Sequence, residues 1–154
     1  MLRIVGFGSG AKDNMTLEAS VAIAGADLIV GYTTYVDILK QYFPDKEYYS
    51  TYMMQEKERC QFAIDTAKEG KEVVLVCSGD SGIYGMASLV YELAEDNLDI
   101  KVISGVTAAS SGSACLGAPL SHDFAVISLS DCMTPWELIK KRIKAMADSD
   151  MVMC

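Results

Sequence analysis

Five short apolar runs, each followed by a helical pattern, constrain the fold of this chain more than any other feature. They lie at 2–7, 27–31, 73–77, 100–104 and 124–129, with helical patterns at 16–24, 34–42, 54–69, 84–95, 107–116 and 135–147. Strand runs alternating with helices build βαβ units, so the expected fold is α/β, a mostly parallel sheet flanked by helices. Residues at the element ends agree. Thr16 stands where an N-cap would open the first helix, with Glu18 in the first turn. Gly70 falls just past a helix ending at Glu69, a C′ position. Pro135 suits the first turn of its helix, with Thr134 as the expected N-cap.

The chain has 154 residues, 51% of them hydrophobic and 22% charged, which is enough for an ordinary domain core and argues against disorder. No apolar run approaches the ~18 residues of a membrane span. The first residues enter a strand pattern directly, and the expectation is a cytoplasmic protein without a secretory signal. A formal net charge of −8, with dispersed lysines and arginines, speaks against a nucleic-acid surface. The densest basic group, Lys140, Lys141, Arg142 and Lys144, reads as the solvated face of a helix. Cys60, Cys77, Cys115, Cys132 and Cys154 stand singly, without the paired spacing of a zinc site or a disulfide scaffold.

The clearest break is Leu116-Gly117-Ala118-Pro119-Leu120-Ser121-His122-Asp123. It divides the chain into an N-terminal α/β domain at 1–117, a linker at 118–123 and a further α/β segment at 124–154. The last five residues, Asp150-Met151-Val152-Met153-Cys154, look like the opening of another strand. That leads to the expectation of a truncated second domain.

Chemistry concentrates in three loops, each following a strand run. The first is Gly6-Phe7-Gly8-Ser9-Gly10, whose spacing differs from the G-x-G-x-x-G of a dinucleotide fold. It is either a tight turn or a ligand site. The second is Ser78-Gly79-Asp80-Ser81-Gly82-Ile83-Tyr84-Gly85, where Asp80 either caps the loop or meets a ligand. The third is Ser104-Gly105-Val106-Thr107-Ala108-Ala109-Ser110-Ser111, small enough for close packing or for ligand contact. No G-K-[ST] follows a glycine loop, so a nucleotide P-loop is excluded. Loops after strands of one parallel sheet gather at one edge, which favours a shared site. His122, the single histidine, is either a proton shuttle with Asp123 or a structural loop residue. Asp131 lines a cleft or caps a helix. No triad order, paired carboxylates or metal cluster is present, and so no protein nucleophile is indicated.

Taken together, the three loops resemble those of the tetrapyrrole methylases, the S-adenosylmethionine-dependent enzymes of corrin and siroheme synthesis. The resemblance covers essentially the whole chain. It is most similar to the family's precorrin-3B C(17) branch, through Val30-Gly31-Tyr32-Thr33-Thr34-Tyr35, Gly85-Met86-Ala87, Gly117-Ala118-Pro119-Leu120-Ser121-His122-Asp123-Phe124 and Ile127-Ser128-Leu129-Ser130-Asp131 before Thr134-Pro135-Trp136. Two features depart from the family pattern: Ser9 stands where a proline is usual, and most of the family's second α/β domain is missing.

The resemblance implies methyl transfer from S-adenosylmethionine to carbon 17 of a tetrapyrrole in cobalamin biosynthesis, coupled to ring contraction. It assigns the cofactor to Ser9, Gly79, Asp80, Ile83, Thr107 and Ala108. His122 and Asp123 become the candidates for the proton transfers of contraction, and a homodimer is the expected assembly. Carboxylates on the substrate would need local cations in an acidic protein, and Lys12 and Arg59 are the available ones.

Overall fold

The computed structural model describes residues 1–95 and 97–154. The chain forms two compact units, Met1–Ala108 and Ala109–Cys154. The first holds β1 (Leu2–Gly6), α1 (Leu17–Ala24), β2 (Leu28–Tyr32), α2 (Thr33–Lys40), β3 (Glu47–Thr51), α3 (Glu56–Lys68), β4 (Val73–Cys77), α4 (Ala87–Leu93) and β5 (Ile100–Ile103), with a 3-10 turn at Lys12–Asn14. Its five strands are all parallel in the order β3-β2-β4-β1-β5. This is the α/β architecture expected from the alternation.

The central strands explain why the sequence reads as unbroken apolar runs. Every residue of β4 is buried, and a parallel strand covered on both faces has no polar face to show. Val73, Leu75 and Cys77 pack with Cys60, Ala63 and Ile64 of α3 and Val90 of α4. Val74 and Val76 face the other way, toward Ala19 and Ile23 of α1 and Leu39 of α2. Truncating one of these large side chains, for example Leu75→Ala, costs about 2–5 kcal/mol in such cores. The helices after β1 and β2 thus cover one face, and those after β3 and β4 cover the other. The chain leaves β1 and β4 in opposite directions, and the switch point of the sheet lies between these two neighbours.

The element ends follow local chemistry. Thr16 caps α1 as expected, its hydroxyl accepting the Ala19 N–H at 3.1 Å. Gly70 follows the cap of α3 with a φ of +93°. Helix α4 starts at Ala87 and not at Tyr84, because Tyr84 has a φ of +55° and the Ala87 N–H turns back to the Ser81 carbonyl at 3.2 Å. Helix α3 likewise starts after Met54, whose φ is +69°. Strand β3 was not among the expected runs. It lies at the sheet edge, paired with β2 alone, and its Tyr49 stacks on Phe62 of α3 with ring centroids 3.7 Å apart.

The second unit opens within α5 (Ala108–Cys115) and continues through β6 (Phe124–Ala125), α6 (Trp136–Asp148) and β7 (Val152–Met153), the two strands being parallel. Residues 118–123 lie inside this unit. In the run expected at 124–129, pairing alongside β7 reaches Ile127, whose N–H meets the Cys154 carbonyl at 2.9 Å. The cap of α6 also differs from the expectation. The helix begins at Trp136, Pro135 occupies the cap with extended backbone, and no side chain caps it. Lys140, Lys141, Arg142 and Lys144 are exposed, with Lys140 paired to Glu137 and Lys144 to Asp148. Among the described residues, no helix is long and apolar enough to cross a membrane.

Candidate active site

The loops after β4, β1 and β5 meet at the carboxyl edge of the sheet, because these three strands are neighbours. Residues 7–10 and 78–79 are stitched at the switch point. The Gly8 N–H donates to the Gly79 carbonyl at 3.0 Å, and the Gly79 N–H returns to the Gly8 carbonyl at 2.8 Å. The loop after β4 then reaches across the end of β1 to β5. Asp80 Oδ1 accepts the N–H groups of Gly82 at 2.8 Å and Ile83 at 3.1 Å, while Oδ2 accepts the Gly105 N–H at 3.0 Å. The buried Ser81 hydroxyl donates to the Ile103 carbonyl at 3.0 Å.

Such stitching requires bare backbone. A Cβ on Gly105 would collide with the carbonyl oxygens of Gly79 and Gly6, and one on Gly6 would lie 2.6 Å from the Gly79 oxygen. Both glycines are fixed by close approach of three chain segments.

Five of the six residues assigned to the cofactor by resemblance come together here. A Cβ on Gly79 would sit 3.5 Å from the Ala108 nitrogen and 3.7 Å from the Thr107 Cα. Asp80 and Ile83 belong to the same loop, with Ile83 43% exposed at its crest. Ser9 lies on the adjoining loop, exposed, and its hydroxyl accepts the Asn14 side-chain amide at 3.0 Å. Of the two readings of Asp80, its three hydrogen bonds demonstrate the loop-capping one. His122 and Asp123 are exposed residues of the second unit. The Asp123 carbonyl accepts the Val152 N–H at 3.0 Å, and neither side chain makes an ion pair among the described residues.

Beside the loops, at the ends of β2 and β4, lies a cavity of about 150 Å³. Tyr35, Glu56, Arg59, Ser78 and Met86 are among its lining. The Ser78 hydroxyl donates to the Tyr35 phenol at 2.9 Å. Cys77 also lines it, and burial pushes its thiol up to about 11, so it stays protonated at neutral pH. A thiolate nucleophile is therefore not on offer. Sequence reasoning named Arg59 only as an available cation. The signal it left unused is that Arg59 sits on the buried stripe of α3 with Ala63 and Ala67. Lys12, the other cation, is exposed, with its ammonium 5.8 Å from the Phe43 ring centre.

The profile of the tetrapyrrole (corrin/porphyrin) methylases matches residues 1–154. The chain belongs to this family. A probable cobalt-factor III C(17)-methyltransferase of Salmonella typhimurium is 48% identical to this methylase-family chain over 157 residues, covering 100% of the chain and 65% of the relative. The solved structure of the methyltransferase CobJ matches it with a TM-score of 0.92 at 36% identity, covering 99% of the chain and 65% of CobJ. This methylase-family chain thus spans just under two thirds of the length of both. A uroporphyrin-III C-methyl transferase from Thermus thermophilus, solved with S-adenosylhomocysteine, shares the fold at a TM-score of 0.62 and 21% identity, over 81% of this chain and 54% of that one.

Proposed function

We propose that this chain is the cofactor-holding part of an S-adenosylmethionine-dependent methyltransferase. Its substrate is cobalt-factor III or precorrin-3B, methylated at carbon 17 with ring contraction in cobalamin biosynthesis. The observation that most supports this reading is the 48% identity to the Salmonella relative along the full chain.

The loop cluster at the carboxyl edge suits the cofactor by its donor set. It offers backbone N–H and carbonyl groups, the small side chains of Ser9, Thr107 and Ala108, and the apolar Ile83, and loops 6–10, 78–85 and 104–111 carry no lysine or arginine for a phosphate. When bound, S-adenosylmethionine supplies an electrophilic methyl group, so the protein needs no nucleophile of its own. The chain's contribution is orientation, which is worth up to ~7–11 kcal/mol when reacting groups are held in line. Gly79, Asp80, Ile83, Thr107 and Ala108 form the wall that holds the cofactor, and Ser9 stands at its entrance. His122 and Asp123 are the proposed groups for the proton transfers of contraction. The cytoplasm is the proposed compartment, and a homodimer the proposed assembly.

Titration calorimetry with S-adenosylhomocysteine tests the cofactor site, and absence of binding overturns it. Incubation with labelled S-adenosylmethionine and cobalt-factor III tests the reaction by mass spectrometry. A methylated product without contraction points instead to another tetrapyrrole methylase, acting at a different carbon. A second reading follows from the 65% coverage of the Salmonella relative. On that reading the chain alone binds cofactor without turnover. A chimera carrying the remainder of the relative gains activity if this is so, and full activity of the short chain refutes it.

A further inference from the structure

Arg59 is 3% exposed, yet no carboxylate lies within ion-pairing distance of it among the described residues. A buried guanidinium without a counter-charge is unfavourable unless something else supplies one. Its hydrogen bonds are unevenly spread. Nε donates to the Thr51 hydroxyl at 2.9 Å, and Nη2 donates to the Tyr52 carbonyl at 2.9 Å. Among the described residues Nη1 meets only the Met86 thioether, at 3.5 Å, and a thioether is a weak acceptor. The Tyr32 ring, 5.9 Å from the guanidinium carbon, adds a cation–π contact but no formal charge.

Arg59 and Met86 both line the cavity at the ends of β2 and β4, so the under-used edge borders open space. Tyr35 lines it too. The Ser78 and Tyr35 hydroxyls share one hydrogen bond at 2.9 Å, so the pair keeps one O–H for a ligand. The one acid in the lining, Glu56, is turned to the loop before α3, where it accepts the Met54 N–H at 3.3 Å. Around the mouth stand large exposed apolar side chains, Met53 at 59% and Tyr84 at 66%. Tyr84 and the neighbouring Met54 both hold left-handed backbone, the kind of strain that collects at binding sites.

We propose that this cavity seats one carboxylate arm of the tetrapyrrole, held by the Nη1 edge of Arg59 and the Tyr35 phenol. The macrocycle lies outside, on the Met53 and Tyr84 rim. At about 150 Å³ the cavity takes an acid side arm and not a ring system. A flat apolar ring bearing acids matches an apolar rim above a cationic floor. The assignment rests on the function proposed above, and it goes further by naming the residues that receive the substrate.

The test has two arms. In the first, the chain is labelled with ¹⁵N-arginine, giving Nε–H signals from Arg3, Arg59 and Arg142. Propionate should move the Arg59 signal selectively, and propionamide should not. An unmoved Arg59 signal overturns the subsite. In the second, uroporphyrin III and S-adenosylhomocysteine are titrated separately into the parent chain, Arg59→Gln, Arg59→Lys and Tyr35→Phe, with thermal melts confirming folding. Arg59→Gln should weaken porphyrin binding about tenfold or more, the worth of one charge-assisted hydrogen bond, and leave S-adenosylhomocysteine unchanged. Tyr35→Phe, which keeps the charge and the ring, should weaken porphyrin binding to a smaller degree, so a folding failure of Arg59→Gln still leaves a readout. A loss confined to S-adenosylhomocysteine overturns the proposal, because the carboxylate is then the cofactor's own. If the parent binds neither ligand while propionate still moves Arg59, the proposed function falls and takes the tetrapyrrole assignment with it. Unchanged porphyrin affinity in all folded variants overturns the proposal and leaves the function standing.

Discussion

Asp80 accepts the Gly105 N–H at 3.0 Å, joining the loop after β4 to the loop after β5 over the end of β1. Its other oxygen holds the Gly82 and Ile83 N–H groups, so one side chain fixes two loops in register. Asp80→Asn should break only half of this. The amide oxygen can keep Gly82 and Ile83, but the amide NH₂ then faces the Gly105 N–H, donor against donor. The expected loss is about 1.5–3 kcal/mol, the value of a hydrogen bond to a charged group. Urea unfolding measures it, and S-adenosylhomocysteine calorimetry should show weaker binding in the same variant.

Gly105→Ala is expected to cost about as much as Asp80→Asn. Its methyl group meets the backbone carbonyls of Gly79 and Gly6, which cannot swing aside as a side chain does. Overpacking of this kind costs typically about 1–3 kcal/mol. The loops after β4 and β5 must part to relieve it, so cofactor affinity should fall together with Tm. An alanine at Gly70, with nothing within 4 Å of its Cβ, should lower Tm through its left-handed backbone alone and spare cofactor affinity.

Thr16→Ala removes the N-cap of α1, whose hydroxyl accepts the Ala19 N–H. A loss of about 1 kcal/mol is expected, with most of it recovered by Thr16→Ser. The hydroxyl also donates to the Ser104 carbonyl at 3.3 Å, so the serine variant tests both bonds at once. Circular-dichroism melts of the three proteins suffice.

The buried thiols predict how stability depends on pH. Burial pushes Cys60 up to about 12 and Cys77 up to about 11, from an ordinary value near 9.0. The native state therefore holds these protons more tightly than the unfolded chain. The resulting stability is complete below about pH 9 and is lost as pH rises through the folded values, at up to about 1.4 kcal/mol per pH unit per thiol. Urea titrations from about pH 8 to about pH 10.5 should show a falling midpoint, and the slope should flatten in Cys60→Ala. Iodoacetamide should react slowly with Cys77 in the native chain at neutral pH, for the same reason.

How much was legible from sequence depended on burial. Strands β1, β2 and β4 are covered on both faces, so their apolar runs stood out from the helices around them. Strand β3 lies at the edge, and Glu47-Tyr48-Tyr49-Ser50-Thr51 offered no such run. Its aromatic and β-branched content was the available sign. The three loops were legible because bare glycines and Asp80 interrupt the pattern, and adjacency of β4, β1 and β5 made them one site. The cavity was not legible as a site. It draws on β2, α2, α3 and the loop after β4, and only the fold brings Tyr35, Arg59 and Ser78 together.

The paired Gly8 and Gly79 amides carry one more implication. Their antiparallel rung lies crosswise at the head of a parallel sheet and fastens the base of the loops after β1 and β4 to its most buried strands. The base should therefore breathe as slowly as β4 itself, and its two amides should exchange with deuterium on the timescale of global unfolding.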